Sequence, residues 1–191
     1  SAFILVGLFM VYVEGGRQLG QATFDFTQLQ TLHFTSGAGH TMFLLFYVGF
    51  GVLAGIWPLH TWSPDGHASA PAAGSMMHAG VLMKLGAYGM LRLGFQLLPD
   101  AAHDLAWLVG LIAVISIVYG ALGAAWESDI KYLIACSSVA HMGVVMLGLA
   151  TLTAAGLAGS VFQMVAHGIM TALFFTLVNM IYHKAHSRDM T

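Results

Sequence analysis

Long apolar runs separated by short polar stretches set the rhythm of this chain. Their length and lack of strict alternation predict helices at about 1–13, 39–57, 71–97, 104–125, 129–150 and 157–183. The first run is short for a membrane span, which needs about 20 residues. It also lacks the basic start and small-residue cleavage site of a signal peptide, so it reads as a helix cut inside a longer protein. Residues 14–38 hold Glu14, Arg17, Asp25 and His33 and read as an extramembrane loop. Residues 58–70 carry Pro58 and Pro64 with Pro71 just beyond, and read as a break rather than a continuous helix. Pro58 is expected to end or kink the helix before it. Leu98-Pro-Asp-Ala101 is a tight loop, and Asp129 is placed to cap the helix that follows it.

Composition turns this pattern into a class. The 191 residues are 58% hydrophobic and 7% charged, against about 25% charged in soluble domains. The fold expected is all-α, a polytopic transmembrane bundle forming one region over 1–191, in contact with membrane lipids. Its 23 glycines fit close helix approach in lipid. The net charge of −2 leaves no basic surface for nucleic acid. Cys136 is the only cysteine and reads as a small core residue. No nucleophile–base pair or phosphate-binding glycine loop is present. His60, Asp65 and His67 match no metal-ligand spacing and are expected to hydrogen-bond the backbone of the break. No metal and no cofactor are expected in this chain.

The few polar groups inside apolar runs then carry the chemistry. Lys84 lies about 13 residues into its helix, too deep to snorkel easily, and a charge there costs about 2.5–3.5 kcal/mol on insertion scales. Burial disfavours a charged ammonium, the property a proton relay uses. His78, six residues earlier, falls on another face of an ideal helix. It reads equally as a titrating group or as a hydrogen-bonded core residue. Ser160, Gln163, His167 and Thr171 share one face at spacings of 3, 4 and 4. That stripe is expected to face protein or water, as a proton path or as interhelical glue. Lys131, Ser137, Ser138 and His141 mark the helix at 129–150, where Lys131 is early enough to snorkel. Facing histidines at 141 and 167 leave a haem-binding electron carrier as an alternative, and a membrane scaffold as another.

Three blocks carry a resemblance: Pro58 to Gly89, with Pro-Leu-His-Thr-Trp and His-Ala-Gly-Val-Leu-Met-Lys; Ser128 to Gly143, with Ser-Asp-Ile-Lys and Ala-His-Met-Gly; and Gln163-Met-Val-Ala-His-Gly168, followed by His186-Ser-Arg-Asp-Met190. In this order and spacing they resemble the antiporter-like, proton-translocating subunits of respiratory complex I, of the subunit M or subunit 4 type. Relatives of that family include multisubunit cation/proton antiporters and membrane-bound hydrogenases. The resemblance implies about fourteen helices in two inverted five-helix repeats, of which this chain looks like the sixth to eleventh. It implies a proton path through Lys84, His167, Lys131, His141 and His78, coupled to electron transfer elsewhere. Flavin mononucleotide, iron–sulfur clusters and quinone would belong to partner subunits, and neighbouring antiporter-like subunits would be the direct partners. The bacterial plasma membrane is the expected location rather than the mitochondrial inner membrane. His167 looks like the family histidine between half-channels, and His186 like one in the next loop. One departure stands out: the family usually has a lysine where this chain has Leu53. His78, where the family commonly has an apolar residue, is expected to supply part of that lost function or to mark a modified half-channel.

Overall fold

The structure, a computed structural model, describes residues 1–189; Met190 of the last motif and Thr191 lie outside them. It is a helical bundle. Its elements are α1 (Ala2–Leu19), α2 (Phe26–Leu29), α3 (Ser36–Ala54), α4 (Trp62–Ser69), α5 (Ala72–Met77), α6 (Met83–Gly89), α7 (Pro99–Trp126), α8 (Ile130–Ala150) and α9 (Ala154–Ala185). Two wide π-helical turns, His78–Leu82 and Met90–Gln96, join α5 to α6 and extend α6, so 72–96 is one helical run. α1, α3, α7, α8 and α9 are long and apolar enough to cross a membrane. The 72–96 run, at about 1.5 Å per residue, also exceeds the ~30 Å of a bilayer core.

Several boundaries differ from the sequence expectation. α1 continues six residues past 13, because Glu14, Arg17 and Gln18 pair with each other along its exposed side: Arg17 lies 3.7 Å from Glu14, and Gln18 donates to Glu14 at 2.8 Å. The expected loop 14–38 is therefore helical at both ends and holds α2, which Asp25 caps through the amide of Thr27 at 3.0 Å. α3 stops before Pro58. Gly55 adopts a left-handed φ of 68° and its amide closes on Gly51 O at 2.9 Å, the usual glycine helix stop. α7 begins at Pro99 itself, since proline suits a first helical turn. Asp129 caps α8 as expected, accepting from the amides of Lys131 at 2.8 Å and Tyr132 at 3.4 Å.

The main core joins α3, the 72–96 run, α7 and α8 through Met42, Phe43, Phe46, Met83, Met90 and Met142. Small residues bring the backbones together. A Cβ added to Gly86 would lie 2.8 Å from Phe50 O, and one on Gly143 2.9 Å from Ala113 O. Those approaches press the lysine helix on α3 and pack α7 on α8 with little between them. The exposed apolar residues are large and numerous, including Phe9, Trp107, Phe162 and Ile169, as on a surface that meets lipid or other membrane helices.

Candidate functional site

The site is built where the helix is broken. α3 ends at Ala54 and the two-turn α4 resumes the path at Trp62. The interrupted backbone is satisfied by its neighbours, as it must be at membrane depth. The Trp62 indole donates to Val52 O at 2.7 Å. Ser75 donates to His67 O at 2.9 Å. At the far end of α4, Lys131 donates to Ala70 O and, at 3.3 Å, to Ala68 O, and Arg188 donates to Ala68 O at 2.9 Å.

This corrects one expectation. The ring nitrogens of His67 have no hydrogen-bond partner, so its side chain does not serve the backbone of the break. Asp65 accepts from the Tyr132 hydroxyl at 3.3 Å, and His60 lies edge-on to the Tyr119 ring at 4.8 Å. No group of three metal-binding side chains occurs among the described residues.

Lys84 follows the first wide turn directly. Its half-buried ammonium donates to the carbonyl oxygen of Ala79, five residues back. A wide turn shifts the carbonyls out of the ordinary ladder, and such turns recur at functional sites. Across from it, α9 comes close at a glycine: Gly168 lies against the Gly80 carbonyl, and a Cβ there would sit 3.8 Å from Lys84 Cε. The lysine stem thus runs along α9 beside His167. Lys84 forms no ion pair among the described residues.

The stripe on α9 faces inward as its spacing required. Ser160, His167 and Thr171 are at most 2% exposed. Ser160 donates to Val145 O at 2.9 Å and Thr171 to His167 O at 2.7 Å. Gln163 meets His141 Nδ1 at 2.9 Å, which joins α9 to α8. The His141 and His167 rings stack with centroids 4.9 Å apart and planes 28° apart. Rings stacked face to face in this way do not hold a porphyrin between them.

The predicted site residues therefore form two groups. His141, Gln163 and His167 form one row, and Lys84 lies beside it where α9 comes close at Gly168. Lys131, 7% exposed, lies at the end of α4, where its ammonium holds the carbonyls of Ala68 and Ala70. His78 is exposed, with its ring 6.0 Å from both Trp62 and His67, so it flanks the row from outside. His67, set aside by its metal-poor spacing, is 1% exposed and packs against Phe175 of α9, with the His78 ring on another side. Its place in a proline-rich break was the only sequence signal available. Leu53 is half-buried in the last turn of α3, which packs on the lysine helix at Gly86.

Comparison with known proteins agrees with this architecture. The model of the family described as NADH:quinone oxidoreductase/Mrp antiporter, transmembrane, matches residues 1–191. The chain is 39% identical to a protein of Microcystis aeruginosa named NAD(P)H-quinone oxidoreductase chain 4 2, over 98% of this chain and 33% of that protein. It is 37% identical to NADH-quinone oxidoreductase subunit M of Rhodobacter capsulatus, over 99% of this chain and 38% of that one. The chain thus spans about a third of the length of the relatives it matches. Among solved structures, the archaeal membrane-bound sulfane sulfur reductase contains a chain that superposes with a TM-score of 0.82 at 25% identity, covering 95% of this chain and 37% of that one. The Mrp complex from Dietzia contains one with a TM-score of 0.78 at 21% identity, covering 94% and 32%, a likeness of fold. An integral membrane bundle with a broken helix, matched from end to end by one family model, belongs to the NADH:quinone oxidoreductase/Mrp antiporter transmembrane family.

Proposed function

We propose that this chain is part of a proton-translocating membrane subunit of a complex I-type NAD(P)H:quinone oxidoreductase. The observation that carries the reading is Lys84: an ammonium in the middle of a membrane-length helix, without a carboxylate partner among the described residues, near the buried His167 and the half-buried His141 stacked on it. Such a lysine holds or releases its proton according to the charge and hydration around it. His167 and His141 accept and pass a proton, and Gln163 fixes the His141 ring by its Nδ1. Ser160 and Thr171 give the row hydroxyls that accept as well as donate. His67 joins Lys84 to the Lys131 end of the site, and His78 is the outermost titratable group of that branch. Electron transfer, with its flavin, iron–sulfur clusters and quinone, belongs to other subunits of the assembly, which neighbouring antiporter-like subunits complete in a bacterial plasma membrane.

The test is proton uptake by sealed vesicles carrying the intact complex, with Lys84→Met against the unaltered protein, alongside the electron-transfer rate. Loss of uptake with the complex assembled is the expected result; unchanged uptake overturns the reading. The family's second branch, the Mrp antiporters, makes cation/proton exchange the alternative. It is favoured instead if uptake depends on sodium in the medium and not on electron flow.

A further inference from the structure

At one end of the bundle, a pocket of about 360 Å³ lies where α4 ends, α5 and α8 begin and α9 ends. Its walls carry Lys131, Arg188, Asn179 and Tyr182, with the carbonyls of the α4 end held by the two cations. This is a polar, cationic vestibule. Phe175 of α9 also lines it, although that side chain is only 1% exposed. The other side of the same ring lies against His67, with centroids 5.5 Å apart and planes 37° apart. Ala79, Ile134 and Val178 form an apolar collar around it.

One ring therefore separates two unlike places. On one side are two cations, an amide and a phenol. On the other is a buried imidazole whose two nitrogens lack protein partners, and Ala79 of the collar is the residue whose carbonyl Lys84 holds. An apolar constriction of this kind passes water and protons only when the ring moves aside, because wetting it costs free energy. An aromatic side chain turns on two torsions and is held by packing alone, so a small separation of α9 from the α8 start frees it. The ionisable groups nearest the ring are Lys131, Tyr182 and Arg188 of the vestibule, with Asp129 beside Arg188, and His67. None is within the collar.

We infer that Phe175 is an apolar plug between this vestibule and His67, and that its displacement admits protons to the Lys84 row. The inference rests on the proposed proton-carrying function. Closed, the ring keeps the Lys84 row from conducting passively. Open, it lets His67 exchange a proton with water at Lys131 and Arg188.

Passive proton flux tests it, in vesicles holding the intact resting complex under an imposed pH gradient and no electron donor. Phe175→Ala is expected to raise that flux severalfold over the unaltered protein, and adding Lys84→Met is expected to return it to the starting level. An assembled Phe175→Ala complex with unaltered flux overturns the plug. So does a raised flux that Lys84→Met leaves in place, since water would then be passing elsewhere. If Phe175→Ala does not assemble, Phe175→Val decides the matter, because it stays apolar but is too short to fill the gap between the vestibule and His67. Flux above the unaltered level supports the plug, and flux equal to it overturns it. The proposed function fails separately, by Lys84→Met leaving driven uptake unchanged whatever the passive flux shows.

Discussion

Gly168 of α9 lies against the carbonyl oxygen of Gly80, close enough that a Cβ on Gly168 would sit 2.9 Å from it. This contact sets how near α9 comes to Lys84. Gly168→Ala is expected to push α9 outward and to cost about 1–3 kcal/mol, the usual range for overpacking. Melting of the detergent-solubilised complex should fall, and driven proton uptake should fall more than electron transfer. Equal melting for the two proteins would show that the approach is slack.

The Gln163–His141 hydrogen bond predicts coupling between helices. Gln163→Leu leaves Nδ1 of a half-buried imidazole unpartnered, at a cost of about 1–3 kcal/mol. His141→Phe with Gln163→Leu should then cost less than the sum of the two single changes. Strict additivity in a double-mutant cycle of stability would mean that the pair does not interact.

Lys131 predicts a local effect at the other end. Lys131→Met frees the carbonyls of Ala68 and Ala70, which its ammonium holds. Amide hydrogen exchange over 66–75 should quicken while the core of α7 stays protected. Unchanged exchange in that segment would show that Arg188 alone suffices.

Asp129 has two roles that substitutions separate. Its carboxylate caps α8 and lies 3.8 Å from the Arg188 guanidinium. Asp129→Asn keeps the cap and loses the exposed ion pair, so little stability should change. Asp129→Ala also loses the cap, at about 0.5–2 kcal/mol. Exchange rates in the first turn of α8 distinguish the two.

The sequence by itself determined the class and most of the helices. A 7% share of charged residues cannot cover a soluble surface, and apolar runs of membrane length have no other stable conformation in lipid. It also determined the inward stripe on α9, because spacings of 3 and 4 put Ser160, Gln163, His167 and Thr171 on one face whatever surrounds them. The cap at Asp129 was legible for the same local reason. The tertiary structure alone decided what those faces meet. The stacking of His141 on His167 depends on where α8 and α9 cross, and the lack of a protein partner for either His67 ring nitrogen depends on the rings of His78 and Phe175 that other segments bring against it. The wide turns around Lys84 were not legible either, because no residue pattern within 78–96 marks them. Local chemistry fixed which residues are polar in the membrane; only packing fixed which of them touch.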